Sequence, residues 1–377
     1  MKKVLIFTVS AGHGHNSAAN SLKKELEAQA YEVLTIEPTK EISKSLDTII
    51  SDGYKVLATK LPKMYGTLYK ISNYQVLNNR LTKLCIRTLE EKIYNIILEH
   101  KPRLIICTHP MFVNVISNIK DEKGIEVPFI SVVTDYQAHK SYVNKNVDAY
   151  IAGSIYTKDS LIKKGVDGNR VYAYGIPVRR EFHTKKEKNE SKSEFTILLM
   201  GGSMGVNAIK KSLKNLLKVD YPLRMIVICG NNETLKKSLE NKYGSGLGNK
   251  IIEIIGFTSN VPEYMDISDV IISKPGGLTV SESLIKNIPM IIPYYIPGQE
   301  KENTDVLVNA GVAKKSEVKE LSQIITELIE NPVMLQKMKQ NILEITKTHS
   351  LDSTVDLAVN LMNEYEEIAE RRIKYGG

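Results

Sequence analysis

Short runs rich in β-branched residues alternate with helix-length stretches along this chain, and the alternation starts afresh after a charged interruption. The first series comprises residues 4–9, 33–36, 104–107, 129–133, 149–152 and 171–174; the second comprises 195–200, 225–229, 251–255, 270–273 and 290–293. Strands separated by helical stretches rather than hairpin turns predict parallel sheets with crossover helices, an α/β fold. Residues 181–194 break the pattern, being charged and almost free of apolar side chains, and read as a linker. A chain of 377 residues suits two such cores. The expectation is therefore a domain over 1–180, a linker over 181–194 and a second domain over 195–350. Beyond these, Val355, Ala358, Val359, Met362, Tyr365 and Ala369 recur at helical spacing and predict a terminal helix over 351–377, packing back on the first domain.

Composition narrows the classes. No apolar run approaches the length of a membrane span, and the apolar start, residues 4–9, meets Gly12-His13-Gly14-His15 instead of a cleavage site, so it reads as a first strand. Cys85, Cys107 and Cys229 share no metal-binding or redox spacing and fit a reducing cytosol. The net charge of +8 attracts anionic partners. Nucleic acid is not expected among them, because the basic residues form no recognised binding module. Residues 40–100 place Tyr54, Tyr65, Tyr69, Tyr74 and Tyr94 among many Lys and Arg side chains. Such a segment suits an anionic membrane surface, and equally suits helices packed on the first sheet.

A strand followed by Gly12-His13-Gly14-His15-Asn16-Ser17 and a helix, with Glu37 after the second strand, imitates a dinucleotide fingerprint. Ser17 replaces the third glycine and two imidazoles crowd the turn, so that reading fails. The loop does leave a helix N-terminus, with Gly14, open to a ligand. The second half carries the fuller constellation. Gly201-Gly202-Ser203-Met204-Gly205 joins a strand to a helix, where backbone N–H groups can hold a diphosphate without a metal. Phe257 closes a later strand and offers an aromatic face to a base. Lys274-Pro275-Gly276-Gly277-Leu278-Thr279 supplies a second glycine turn, with Glu282 further along the helix and suited to a ribose. Gln299, Glu300 and Asn303 follow the next strand with groups for sugar hydroxyls. All would meet at one sheet edge, where ligands bind in open α/β folds.

On these residues, and on Ser10-Ala11-Gly12-His13-Gly14-His15, Thr108-His109-Pro110-Met111, Val133-Thr134-Asp135-Tyr136 with His139, and Tyr174-Gly175-Ile176-Pro177-Val178, the sequence resembles the monogalactosyldiacylglycerol synthase and processive diacylglycerol glucosyltransferase family, relatives of the lipid II-forming N-acetylglucosaminyltransferase. The resemblance covers nearly the whole chain. It implies a GT-B architecture, two Rossmann-like domains facing across a cleft, with UDP-sugar held by the C-terminal domain and the acceptor by the N-terminal one. It implies inversion at the anomeric carbon. It also implies that His15 is the histidine closing the N-terminal loop, Glu282 the ribose acid, and Gln299 and Glu300 the sugar-hydroxyl pair. The N-terminal motifs make His109, Tyr136 and His139 acceptor-side candidates.

Inverting transfer needs a base for the acceptor proton, and an imidazole with an ordinary pKa near 6.5 suits the task. His15 is the expected base, with Asp135 as its orienting or electrostatic partner. The glycine loop, the helix dipole and Lys274 would stabilise departing UDP. No Asp-x-Asp pair occurs, so no metal or other cofactor is expected. The reading is a hexosyltransferase, glucose and galactose both open, acting on diacylglycerol from the cytoplasmic face of the membrane. The rival readings are a transferase with another lipid-linked or soluble acceptor and a UDP-sugar-binding regulator without turnover.

Overall fold

Along strand β1 (Lys3–Phe7) every apolar side chain is buried, but alternate ones face different helices. Val4 and Ile6 pack with the helix Gly14–Ala28 and the terminal helix Leu351–Tyr375, whereas Leu5 and Phe7 pack with the helices Arg80–His100 and Pro110–Lys123. A central strand apolar on both faces is what a parallel sheet covered by helices on each side demands. The computed structural model describes residues 2–10, 14–38, 80–184, 194–201, 206–244 and 247–375. Its chain divides into two compact units, Met1–Arg179 with Thr348–Gly377, and Arg180–Lys347.

In the first unit, β1, β2 (Glu32–Ile36), β3 (Leu104–Cys107), β4 (Phe129–Val132), β5 (Ala149–Ile151) and β6 (Val171–Tyr172) form a parallel sheet ordered β2-β1-β3-β4-β5-β6. The terminal helix belongs to this unit and buries Leu351, Val355, Ala358 and Met362 on the sheet. Each large apolar side chain buried there contributes on the order of 1.5–3 kcal/mol. The approach to that helix is fixed by backbone contacts: Ser350 N donates to Tyr174 O at 2.9 Å and Thr348 Oγ1 to Ala173 O at 2.6 Å. Gly175, with φ of +86°, lies under the His349 ring, and a Cβ there would stand 2.9 Å from His349 Cγ. Only glycine fits that backbone and that gap.

In the second unit, β7 (Phe195–Met200), β8 (Leu223–Ile228), β9 (Lys250–Ile255), β10 (Val270–Ser273), β11 (Met290–Ile292) and β12 (Ala313–Lys315) form a parallel sheet ordered β12-β11-β10-β7-β8-β9. The chain stretch read as a linker begins packed. Phe182 is wholly buried, and Thr184 O accepts a 2.6 Å hydrogen bond from Lys286 Nζ, which also pairs with Asp266 at 2.8 Å. Both sheets reverse direction of growth beside their first strand, at β1/β3 and at β7/β10. Such switch points open a crevice at the carboxyl ends of the strands.

The basic, tyrosine-rich stretch falls largely outside the described residues. Its described part is the helix Arg80–His100, where Leu89, Ile93 and Ile97 enter the core and Tyr94 packs beside them under Lys123 Nζ, 5.3 Å from the ring centre. Among the described residues no helix is long and apolar enough to cross a membrane.

Candidate active site

Three apolar strand runs of the first unit end in threonine, and the hydroxyls meet at the β1/β3 switch point. Thr108 Oγ1 donates to Thr8 Oγ1 at 2.8 Å, and Thr8 Oγ1 donates to Asn16 Oδ1 at 2.8 Å. Asn16 Nδ2 donates to Ser10 Oγ at 2.9 Å, which donates to Glu37 at 2.6 Å. This chain fixes the start of the helix Gly14–Ala28 and with it His15. It also explains why Glu37 is no ribose ligand, since protein groups already occupy its carboxylate.

Nδ1 of His15 lies 2.8 Å from the Thr108 carbonyl and 2.9 Å from Thr134 Oγ1. A carbonyl oxygen only accepts, so Nδ1 carries the hydrogen and Nε2 is left with a lone pair. Burial lowers the His15 pKa, opposed by the Thr108 contact that favours the charged ring. The neutral, proton-accepting tautomer is therefore the one present at neutral pH.

His109 caps the helix Pro110–Lys123 by accepting from Met111 N at 3.2 Å, which assigns its hydrogen to Nε2. Its ring stands edge-on to that of His15, 4.6 Å between centroids, and burial, then the repulsion two protonated rings would feel, holds its pKa well below the usual value. Two neutral imidazoles thus stand together at the sheet edge.

The other expected residues of this unit lie differently. Asp135, expected as an orienting or electrostatic partner of His15, is buried, and Thr108 O and Thr134 Oγ1 are the groups at Nδ1. After burial, the Asp135 charge is the next cause raising the pKa of the Tyr142 hydroxyl, which lies 3.2 Å from Thr134 Oγ1. Tyr136, expected on the acceptor side, has no exposed surface and packs as a core side chain. Buried His139 caps the 3-10 turn Lys140–Tyr142, its Nδ1 3.2 Å from Ser141 N and 2.6 Å from Ser141 Oγ, which likewise gives it a structural task.

At the β7/β10 switch point of the second unit the groups are charges and helix ends. Gly276 precedes the helix Gly277–Ile285 and provides no side-chain cap, so the first N–H groups, of Gly277, Leu278 and Thr279, face outward without partners a turn earlier. Lys274 Nζ lies 3.4 Å from where a Gly276 Cβ would sit, at the same turn. An ammonium beside an uncapped helix start is suited to an anion. Glu282 lies further along this helix, mostly buried.

Glu300 and Asn303 serve this turn from within. Glu300, 6% exposed, pairs with Lys274 Nζ and also accepts from Ile296 N at 2.9 Å. Asn303, fully buried, donates from Nδ2 to Pro275 O at 3.1 Å. Both are expected to face sugar hydroxyls; their described contacts brace Lys274 and the glycine turn. Half-buried Gln299 begins the helix Gln299–Asn309 after Gly298, whose φ of 102° and lack of a side chain leave a second uncapped helix start. The Phe257 ring is 74% exposed just beyond β9, three strands from β10 across β8 and β7, a lateral distance of about 14 Å. Gly201 accepts from Tyr294 OH at 3.4 Å; Gly202, Ser203 and Gly205 lie outside the described residues, as does His13.

The sequence reading missed the Thr8, Thr108 and Thr134 hydroxyls as a set. A threonine directly after each apolar run was the available signal. Nothing local announced the Lys274–Glu300 pair, whose members are 26 residues apart.

Comparison with known proteins agrees with this layout. Residues 15–178 match the family described as monogalactosyldiacylglycerol (MGDG) synthase, and residues 196–361 match the glycosyltransferase family 28 C-terminal domain. A processive diacylglycerol beta-glucosyltransferase of Staphylococcus epidermidis is 30% identical over 359 residues, 91% of this chain and 88% of that one. The Bacillus subtilis protein of the same name is 27% identical over 380 residues, 98% and 97% of the two chains. Among solved structures, Acinetobacter baumannii MurG superposes with a TM-score of 0.69 at 16% identity, covering 96% of this chain and 100% of the other. Staphylococcus aureus MnaA gives 0.59 at 17% identity, covering 97% of each chain. Those structural likenesses show the fold, two parallel-sheet Rossmann-like halves of the GT-B class, as the sequence led one to expect. With each half matched and relatives aligned over most of their length, the chain belongs to the family of monogalactosyldiacylglycerol synthases and processive diacylglycerol glucosyltransferases.

Proposed function

We propose that this chain transfers a hexose from a UDP-hexose to diacylglycerol, with inversion at the anomeric carbon and without a metal ion. The relatives' names support the diacylglycerol acceptor and the hexose, a UDP-bound structural neighbour supports the nucleotide, and one observation carries the chemistry: the Thr108 carbonyl holds His15 in the tautomer whose Nε2 accepts a proton.

The proton of the acceptor hydroxyl passes to His15 Nε2 as the hydroxyl oxygen bonds to the anomeric carbon. The bond from that carbon to the β-phosphate oxygen breaks, and its electron pair leaves with UDP. Attack from the side opposite the leaving group inverts the configuration. The departing diphosphate gains charge, which the start of the helix Gly277–Ile285 and the Lys274 ammonium stabilise, a role that needs no reorganisation because Glu300 and Asn303 already fix the turn. Phe257 receives the base, Glu282 the ribose and Gln299 a sugar hydroxyl, while His109 borders the acceptor. The lipid resides in a bilayer, so the protein works peripherally, at the cytoplasmic face of the membrane.

The test is an assay of purified protein with detergent-dispersed diacylglycerol and UDP-glucose or UDP-galactose, with and without a chelator. The expected product is a β-linked hexosyl diacylglycerol formed equally in both. Donor binding without any lipid-linked hexose would leave a regulator, and transfer only to another lipid or a soluble alcohol would replace the acceptor. An α-linked product would remove inversion, and chelator-dependent loss would remove the metal-free step.

A further inference from the structure

The helices Val206–Leu216 and Glu233–Tyr243 of the second unit enclose a groove of about 260 Å³. Lys210, Lys211, Lys214 and Lys242 line it, and no carboxylate does. The helix Val206–Leu216 has no acidic residue at all; Ile209, Leu213 and Leu216 seat one face in the core and the lysines occupy the other. In the same unit Lys274, Lys286, Lys301, Lys314, Lys319 and Arg224 each meet a carboxylate, while Lys218 and Lys315 rest on neutral groups. Among the described residues the four groove lysines meet no carboxylate. Lys210 Nζ rests on Ser238 Oγ at 3.1 Å, leaving the Ser238 hydroxyl hydrogen for an outside acceptor, and Lys242 Nζ lies 5.3 Å from the Tyr243 ring centre.

Resting on the reading that the acceptor is a bilayer lipid, we propose that this lysine groove is where the protein holds the anionic headgroups of the membrane surface. The residue types favour that occupant over other polyanions. Lysines are separate point charges, each able to hold its own headgroup, without the forked guanidinium that reads a fixed phosphate or base pattern. The apolar floor, Leu239 and Tyr243, is buried and offers no anchor to a protein partner. No exposed aromatic face lines the groove for stacked bases.

The experiment is co-sedimentation of the full chain with phosphatidylcholine vesicles and with the same vesicles containing an anionic phosphoglycerolipid. Wild type should bind the anionic vesicles more tightly, less so as salt is raised. The variant K210Q/K211Q/K214Q/K242Q should lose about tenfold or more of that binding. It should keep its activity on detergent-dispersed diacylglycerol and its thermal midpoint, whereas K301Q/K314Q/K319Q should stay within about threefold of wild type in binding. Unchanged binding by the quadruple variant, or equal binding of wild type to both vesicles, overturns the proposal. So does displacement by inorganic phosphate beyond that by chloride at equal ionic strength, which would make the groove a discrete phosphate pocket. If wild type makes no glycolipid yet the quadruple variant loses vesicle binding, the functional reading fails and the surface stands; the reverse pattern separates them the other way.

Discussion

At the β1/β3 switch point His15 Nδ1 meets a carbonyl and a neutral hydroxyl, whereas at the β7/β10 switch point the groups are an ion pair and two helix starts without side-chain caps. Both sheets are parallel and six-stranded, with one strand beyond β1 in the first and two beyond β7 in the second. What differs is which atoms the sequence leaves facing the ligand. In the first unit burial keeps an imidazole unprotonated, and a carbonyl orients it to take a proton. In the second, glycines at 276 and 298 remove the side chains that elsewhere cap a helix, as Asn232 and Asn331 do, and leave backbone N–H groups for an anion. A shared fold thus yields a proton acceptor in one half and an anion cradle in the other through a few residues at each strand end.

The strongest way to break the contrast is to remove one side of it. His15→Ala should lower kcat by about 10² to 10⁴. Because burial holds the wild-type His15 pKa below its ordinary value, the wild-type rate should be flat at neutral pH and fall only as the imidazole gains a proton on acidification. A rate falling across neutral pH would place the base elsewhere. On the other side, Lys274→Met should cost about 10² to 10³ in kcat/KM for the UDP-hexose, the scale for a lost donor to a developing anion.

Two milder changes sharpen it. Glu300→Gln keeps an acceptor for Ile296 N but removes the charge that positions Lys274. A loss of about tenfold in kcat/KM is expected, with more being the sign that the carboxylate touches sugar directly. Thr134→Val leaves the Thr108 carbonyl to orient His15 and should lower kcat by only about threefold to tenfold. A loss matching His15→Ala would mean that the hydroxyl, and not the carbonyl, sets the tautomer.

Much of this was written locally. Runs such as Leu104–Cys107 and Val270–Ser273 are apolar, β-branched and bounded by polar residues, and both are strands. β12 escaped because Ala313-Lys314-Lys315 is a short edge strand, where lysine blunts outside pairing and no apolar pattern remains. Around the sites, residue type marked His15 and Lys274, since an imidazole or an ammonium next to a glycine turn has few other uses. The same reasoning put Tyr136, Glu300 and Asn303 on the ligand. What it could not show is their burial, which depends on neighbours far along the chain, as Pro275 is for Asn303 and Lys274 for Glu300. The wiring of Thr108 to Thr8 crosses 100 residues and no local spacing encodes it.

Calorimetric titration of UDP-hexose into His15→Ala and Lys274→Met, side by side with wild type, tests the division of labour most directly. The Kd should be unchanged by the first substitution and at least about tenfold weaker with the second. A donor affinity that collapses without His15, or that ignores Lys274, would contradict it.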